Sequence, residues 1–140
     1  MEKKYIMGID QGTTGPRVLF FDKNAELVSL GYKEIKQLFP QPGWVEHDAM
    51  EDFESVYECM QMAMEKGNIK FEEIAGIGMT NQRETAVMWY KDTGKPVYNS
   101  IIWQSRQSTP ICDKWIADGY GPVVQQKTGL SIDAYFSASK

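Results

Sequence analysis

Four apolar runs and one long amphipathic stretch divide the first 80 residues of the chain. KYIMGID (4–10) is apolar on both faces, which predicts a strand in the middle of its sheet. RVLFFD (17–22) and ELVSLGYKE (26–34) predict two more strands, with Lys23 and Asn24 as the tight turn between them. Together the three form an antiparallel meander. In EHDAMEDFESVYECMQMAMEKGN (46–68), Met50, Phe53, Val56, Tyr57, Met60 and Met64 recur every three or four residues, the spacing of one apolar helix stripe that faces a core. Asp48 is placed to cap this helix with Glu51 as its capping-box partner, and Gly67 to close it in a left-handed conformation. IAGIGMT (74–80) then predicts a buried strand, reached by a crossover and so parallel to its neighbour.

The remainder is more broken. TAVMWY (85–90) and SIIW (100–103) read as short strands separated by the turn-rich KDTGKPVYN. A helix is expected over about 108–118, with Ser108 or Thr109 as cap, Pro110 at its first position and Gly119 closing it. VVQQKTG (123–129) predicts one further short helix. The order is that of an α/β fold with a mixed sheet, the meander first and parallel strands with helices after it.

Composition narrows the function classes. The chain has 140 residues, 42% hydrophobic and 24% charged, as an ordinary globular domain does. Its net charge of -4, with no Lys/Arg stripe, argues against nucleic acid as a partner. No apolar run approaches the roughly 20 residues of a membrane span, and no secretory h-region forms before Asp10. Cys59 and Cys112 form no CxxC pair, which predicts buried, reduced thiols in a cytoplasmic protein. His47 is the single histidine, without the partners of a nucleophilic triad or a zinc site. The ending SIDAYFSASK has neither cap nor polar tail, so a piece of a longer protein is expected.

Candidate chemistry begins between the first two strands, where IMGIDQGTTGPRVLFFD spends more residues than a hairpin needs. Gly12 lets backbone N–H groups approach an anion, and Thr13 and Thr14 add hydroxyl donors. Arg17 can clamp the same oxygens, and Asp10 suits a Mg²⁺ shared with phosphates. A wide hairpin with a Gly bulge explains the same residues. Arg83 and Glu84 follow the strand at 74–80, at the end where open α/β sheets place their sites. As donor and acceptor they could hold two hydroxyls of a polyol, or they could form a surface ion pair. Trp103 and Tyr135 could wall such a pocket with apolar rings, or serve as core aromatics.

The first of these segments resembles the phosphate loop of the actin, Hsp70 and sugar-kinase ATPase superfamily. DQGTT with its following Arg, PGWVEHD, TNQRET, TGKPVYNSIIWQSR and TGLSIDAYFSASK, in that order, resemble the FGGY family of carbohydrate kinases over essentially the whole chain. The resemblance implies a ribonuclease-H-like, actin-like ATPase domain, truncated, with residues 1–140 forming an N-terminal portion of the family's N-terminal domain and the C-terminal domain absent. NQRE followed by WQSR further implies ATP- and Mg²⁺-dependent phosphorylation of glycerol rather than of a pentose or hexose. Carried over by position, Arg83, Glu84, Trp103 and Tyr135 are the glycerol contacts. Gly12, Thr13, Thr14 and Arg17 are the ATP-phosphate contacts, and Asp10 belongs to the metal region. The family's catalytic base and adenosine pocket lie further along the chain, so these residues alone are expected to be inactive, and uncovered sheet edges could drive homo-oligomers. Pro16 departs from the family pattern and removes one N–H from the loop. Open alternatives are another polyol or sugar kinase of the family, or an actin- or Hsp70-like non-metabolic ATPase.

Overall fold

The computed structural model describes residues 2–140 and divides into two compact units. One joins Met1–Lys36 to Asp48–Gln82; the other joins Gln37–His47 to Arg83–Lys140.

In the first unit, strands β1 (Tyr5–Gln11), β2 (Pro16–Phe21), β3 (Leu27–Tyr32) and β5 (Ile74–Thr80) form one sheet in the order β3-β2-β1-β5. β1 is central as its two-faced apolarity predicts, antiparallel to β2 and parallel to β5. The β2–β3 link is wider than a two-residue turn: Asp22 accepts from the N–H groups of Asn24 (2.8 Å) and Glu26 (2.9 Å), and Ala25 takes the left-handed conformation (φ 62°).

Helix α1 (Ala49–Gly67) lies on β3 and β2. Asp48 caps it, accepting from Met50 N (2.8 Å) and Glu51 N (3.3 Å). Two expectations for this helix need correction. The buried face is Ser55, Cys59 and Ala63, while Met50, Phe53 and Tyr57 of the expected stripe are exposed; only Val56, Met60 and Met64 pack at the edge of the core. The reason lies in the sheet. A Cβ on Gly31 would stand 2.0 Å from the Cys59 carbonyl oxygen and 3.1 Å from Ala63 N, so helix backbone rests directly on strand backbone and only small residues fit between. The core is completed by Met7, Ile9, Val18, Phe20, Ile69 and Ile74. The second correction is at the C-terminus, where Asn68, not Gly67, is left-handed (φ 47°), with Ile69 N bonded to Met64 O (2.9 Å). Gly67 is helical, and a Cβ there would meet Ile69 and the Ser29 hydroxyl.

The second unit has less regular structure. β4 (Glu46–His47) pairs with β6 (Ser100–Ile101), and helices α2 (Thr109–Ala117) and α3 (Gly121–Thr128) follow. TAVMWY is not a strand: it makes isolated bridges, Ala86 to Ile101 and Trp89 to Pro96, and its large residues from Val87 to Tyr90 are exposed. Ser108 precedes α2 but gives it no side-chain cap, because its hydroxyl pairs with that of Ser139 (2.9 Å) in a buried contact. Gly119 (φ 87°) and Gly129 (φ 76°) end the two helices in left-handed geometry. Both cysteines are buried and free, and among the described residues no helix is long and apolar enough to cross a membrane.

The helix-on-glycine contact yields a stability test. Gly31→Ala drives a methyl into rigid backbone, so the loss should reach or exceed the upper end of overpacking costs, about 3 kcal/mol. Chemical denaturation of wild type and variant measures it, with Gly78→Ala as the control because a Cβ there meets nothing within 4 Å.

Candidate functional site

The β1–β2 turn is built by glycine and pinned from outside. A Cβ on Gly12 would lie 2.9 Å from the Gly15 carbonyl oxygen, and one on Gly15 (φ 151°) would lie 1.9 Å from Lys33 O. The turn is therefore folded closely on itself and against the segment after β3, where Ile35 N bonds to Thr14 O (3.1 Å). Pro16 is buried at the start of β2 and its carbonyl accepts from the Cys59 thiol, so the residue that departs from the family pattern serves packing. Asp10 and Arg17 sit opposite each other in the β1–β2 register, and the guanidinium donates to the carboxylate (Nη1–Oδ2, 3.2 Å) while lying over the Tyr32 ring (5.3 Å). Both side chains remain accessible at 39% and 45%, Gly12 and Thr13 are half-buried, and Thr14 is exposed. The Gly12 N–H is taken by the Asp10 carbonyl (3.1 Å), so the turn offers a ligand the N–H groups beyond Gly12, hydroxyls, one cation and one carboxylate.

In the second unit the structure draws three of the four expected polyol residues together. Trp103 and Tyr135 meet edge to face, ring centres 5.9 Å apart, and Phe136 stacks edge-on behind Tyr135 at 5.1 Å. Glu84 has a left-handed backbone (φ 61°), unusual for a residue with a side chain. Its Oε2 accepts from both the N–H (3.0 Å) and the hydroxyl (2.9 Å) of Ser137. The Ser137 donors hold the Glu84 carboxyl below its ordinary range, helped by the charges of Lys140 and Arg83. Lys140 Nζ donates to the carbonyls of Glu84 (2.7 Å) and Tyr135 (2.5 Å). Arg83 is exposed. A cavity of about 290 Å³ has Glu84 in its wall with Val124, Leu130, Ile132 and Phe136, but not Arg83, Trp103 or Tyr135.

Sequence reasoning missed the residues that hold this region in place. Glu46, inside the PGWVEHD segment, is fully buried and accepts from Tyr98 Oη (3.0 Å), Asn99 Nδ2 (2.8 Å) and Gln107 Nε2 (3.3 Å), residues on both sides of Trp103. The hydrogen bond to Glu46 also raises the Tyr98 pKa. Asp133 takes a two-pronged bond from Arg106 (2.8 and 3.4 Å) and a third from Tyr135 N (2.7 Å). Gly43, left-handed at φ 79°, gives its carbonyl to Arg106 N (2.8 Å). The signal for Asp133 was an Asp two residues before an aromatic, an Asx-turn spacing; for Glu46 there was none. Among the described residues no group of three or more His, Cys, Asp or Glu could hold a metal ion by itself.

The chain matches the model of the FGGY family of carbohydrate kinases, N-terminal domain, over residues 5–140. It is 54% identical over 138 residues to proteins named glycerol kinase from Bacillus thuringiensis and Bacillus cereus, covering 99% of this chain and 28% of theirs. Among solved structures, glycerol kinase from Plasmodium falciparum with ADP superposes with a TM-score of 0.87 at 31% identity, covering 99% of this chain and 28% of that one. Gluconate kinase from Lactobacillus acidophilus gives 0.84 at 26% identity, covering 94% of this chain and 26% of that one. The chain thus spans little more than a quarter of the length of these relatives.

The Arg106–Asp133 pair sets a pH dependence. Arg106, then the Tyr135 N–H, hold the Asp133 carboxyl below its ordinary value. A lowered carboxyl stabilises the fold fully above the ordinary value, and this contribution is lost as pH falls through the lowered one. The stability gap between wild type and Arg106→Met should therefore be constant above about pH 5 and shrink steadily on acidification below about pH 4. Urea melts across that range measure the gap, and a gap that stays constant to pH 2 contradicts the assignment.

Proposed function

Because the chain belongs to the FGGY family of carbohydrate kinases, matching its N-terminal domain, we propose that the protein uses ATP to phosphorylate glycerol at a terminal hydroxyl. In this reading Gly12, Thr13, Thr14 and Arg17 receive the terminal phosphates of ATP, and Arg83, Glu84, Trp103 and Tyr135 receive glycerol. The observation that carries the polyol half is the joining of Glu84 to the Tyr135 segment through Ser137 and Lys140, with Trp103 against the same ring. A carboxylate held by Ser137 accepts a hydrogen bond from a hydroxyl in a fixed direction, and the rings cover the C–H face of a small polyol.

Phosphoryl transfer depends chiefly on positioning and on charge placed against the phosphates. Here the β1–β2 turn contributes fixed N–H donors, and Arg17 contributes a cation that can leave Asp10 for a phosphate oxygen. Mg²⁺ binds through one or two carboxylates plus substrate phosphates, so a single accessible Asp10 outside any three-ligand cluster fits that ion. The ion would neutralise phosphate charge. The attacking hydroxyl is oriented by Glu84 and Arg83; the group that takes its proton is proposed to lie in the remainder of the protein.

Identity favours glycerol within the family: 54% to the glycerol kinases against 26% to the gluconate kinase. A non-metabolic actin- or Hsp70-like ATPase leaves a family match from residue 5 to 140 without explanation. The test is a coupled ADP-release assay on the complete reading-frame product with glycerol, erythritol and xylulose. Glycerol should give the highest kcat/KM, and Glu84→Gln should lower it by about 10- to 150-fold, the loss expected for a charged hydrogen bond of about 1.5–3 kcal/mol. Preferred turnover of the pentulose would reject the glycerol reading.

A further inference from the structure

Glu84 and Tyr135 are 51 positions apart, and neither lies within a regular element that would fix it. Glu84 sits in a turn with its backbone in a conformation that side-chain-bearing residues avoid. Something must hold it there, and the structure supplies two groups. Lys140 places one ammonium between the carbonyl of Glu84 and that of Tyr135, part-buried, and burial lowers its pKa. Ser137 uses both of its donors on a single carboxylate oxygen, Oε2. Neither bonds Oε1.

We infer that Lys140 and Ser137 are positioning residues for the polyol site: Lys140 ties the Glu84 backbone to the Tyr135 backbone, and Ser137 fixes the rotation of the Glu84 carboxylate. The inference rests on the polyol reading for its function and on geometry alone for the clamp. Neither residue need touch the ligand. Lys140 sets the spacing between carboxylate and ring, and thus the length of polyol that fits between them. Ser137 sets the direction of the acceptor. Their own support is visible: the segment 137–139 is a short turn anchored by the buried Ser139–Ser108 hydroxyl pair, and Asp133 anchors the Tyr135 N–H from the other side.

Two measurements separate the clamp from the polyol assignment. In NMR of this chain, Glu84 should titrate below its ordinary value of 4.5, and Ser137→Ala should move it up toward that value. Lys140→Met should weaken the Trp103–Tyr135 ring contacts and shift the Glu84 amide, and Lys140→Arg, which keeps charge and donors, should restore both. In the complete reading-frame product, Lys140→Met and Ser137→Ala should raise the glycerol KM at least fivefold with a smaller change in kcat, and Lys140→Arg should recover most of the loss. Unchanged Glu84 titration and ring contacts in both Ser137→Ala and Lys140→Met would overturn the clamp. Intact NMR signatures with no glycerol turnover by the wild-type protein would instead reject the polyol reading and leave the clamp standing.

Discussion

A carboxylate that gathers several donors fixes the segments they come from, and the second unit is organised by three such groups, one fully buried and two part-exposed. Glu46 gathers Tyr98, Asn99 and Gln107; Asp133 gathers Arg106 and the Tyr135 amide; Glu84 gathers both donors of Ser137. The unit has few fully buried apolar side chains, Ile102, Cys112 and Ala134 among them. Hydrophobic burial is non-directional, whereas a hydrogen bond fixes distance and angle. Loops that carry candidate ligand contacts gain from the second kind of restraint, since their rings and carboxylates must keep a set spacing without a helix or strand beneath them.

The first unit solves the opposite problem by backbone proximity. Gly31 beneath Cys59 and Ala63 lets α1 settle on the sheet. The same logic shapes the β1–β2 turn, where Gly12 and Gly15 are required by carbonyl oxygens within 3 Å of where a Cβ would be. Here the sequence was legible. Strand alternation, the Asp48 cap and the glycine-rich turn all act over a few residues and follow from local chemistry. What local pattern could not show was which helix face turned inward. Bulky spacing marked Met50, Phe53 and Tyr57, but the contact is decided by Gly31, on a different element and 28 positions before the Cys59 it meets, and Phe53 and Tyr57 are left exposed with their rings 5.3 Å apart. Likewise Gly67 looked like a helix stop because the left-handed role of Asn68 depends on its bonds to Glu65 and Met64, and the need for a small residue at 67 comes from Ile69 and Ser29.

The second unit was less legible for a related reason. TAVMWY has strand composition but finds only single bridges to pair with, so propensity is not realised as a ladder. Glu46, Arg106 and Ser139 gave no periodic signal, because their side-chain partners lie 27 to 61 positions away. Motif resemblance reached Arg83, Glu84, Trp103 and Tyr135 where periodicity could not. It did not reach Ser137 and Lys140, which stand in the same YFSASK segment and bond to Glu84 and Tyr135.

This division between units bears on how specificity can vary. A turn that offers N–H groups is set by glycine and by backbone contacts, and most side-chain changes leave it intact. A carboxylate aimed by one serine and a ring spaced by one lysine are altered by single substitutions. The Lactobacillus acidophilus gluconate kinase keeps the fold at a TM-score of 0.84 while sharing 26% of positions, so the scaffold persists through extensive side-chain replacement. On the proposed reading, changes of substrate within such a scaffold are most readily made at groups like Ser137 and Lys140, which aim a contact without making it, since altering them moves Glu84 against Tyr135 while the strands that carry the β1–β2 turn stay in register.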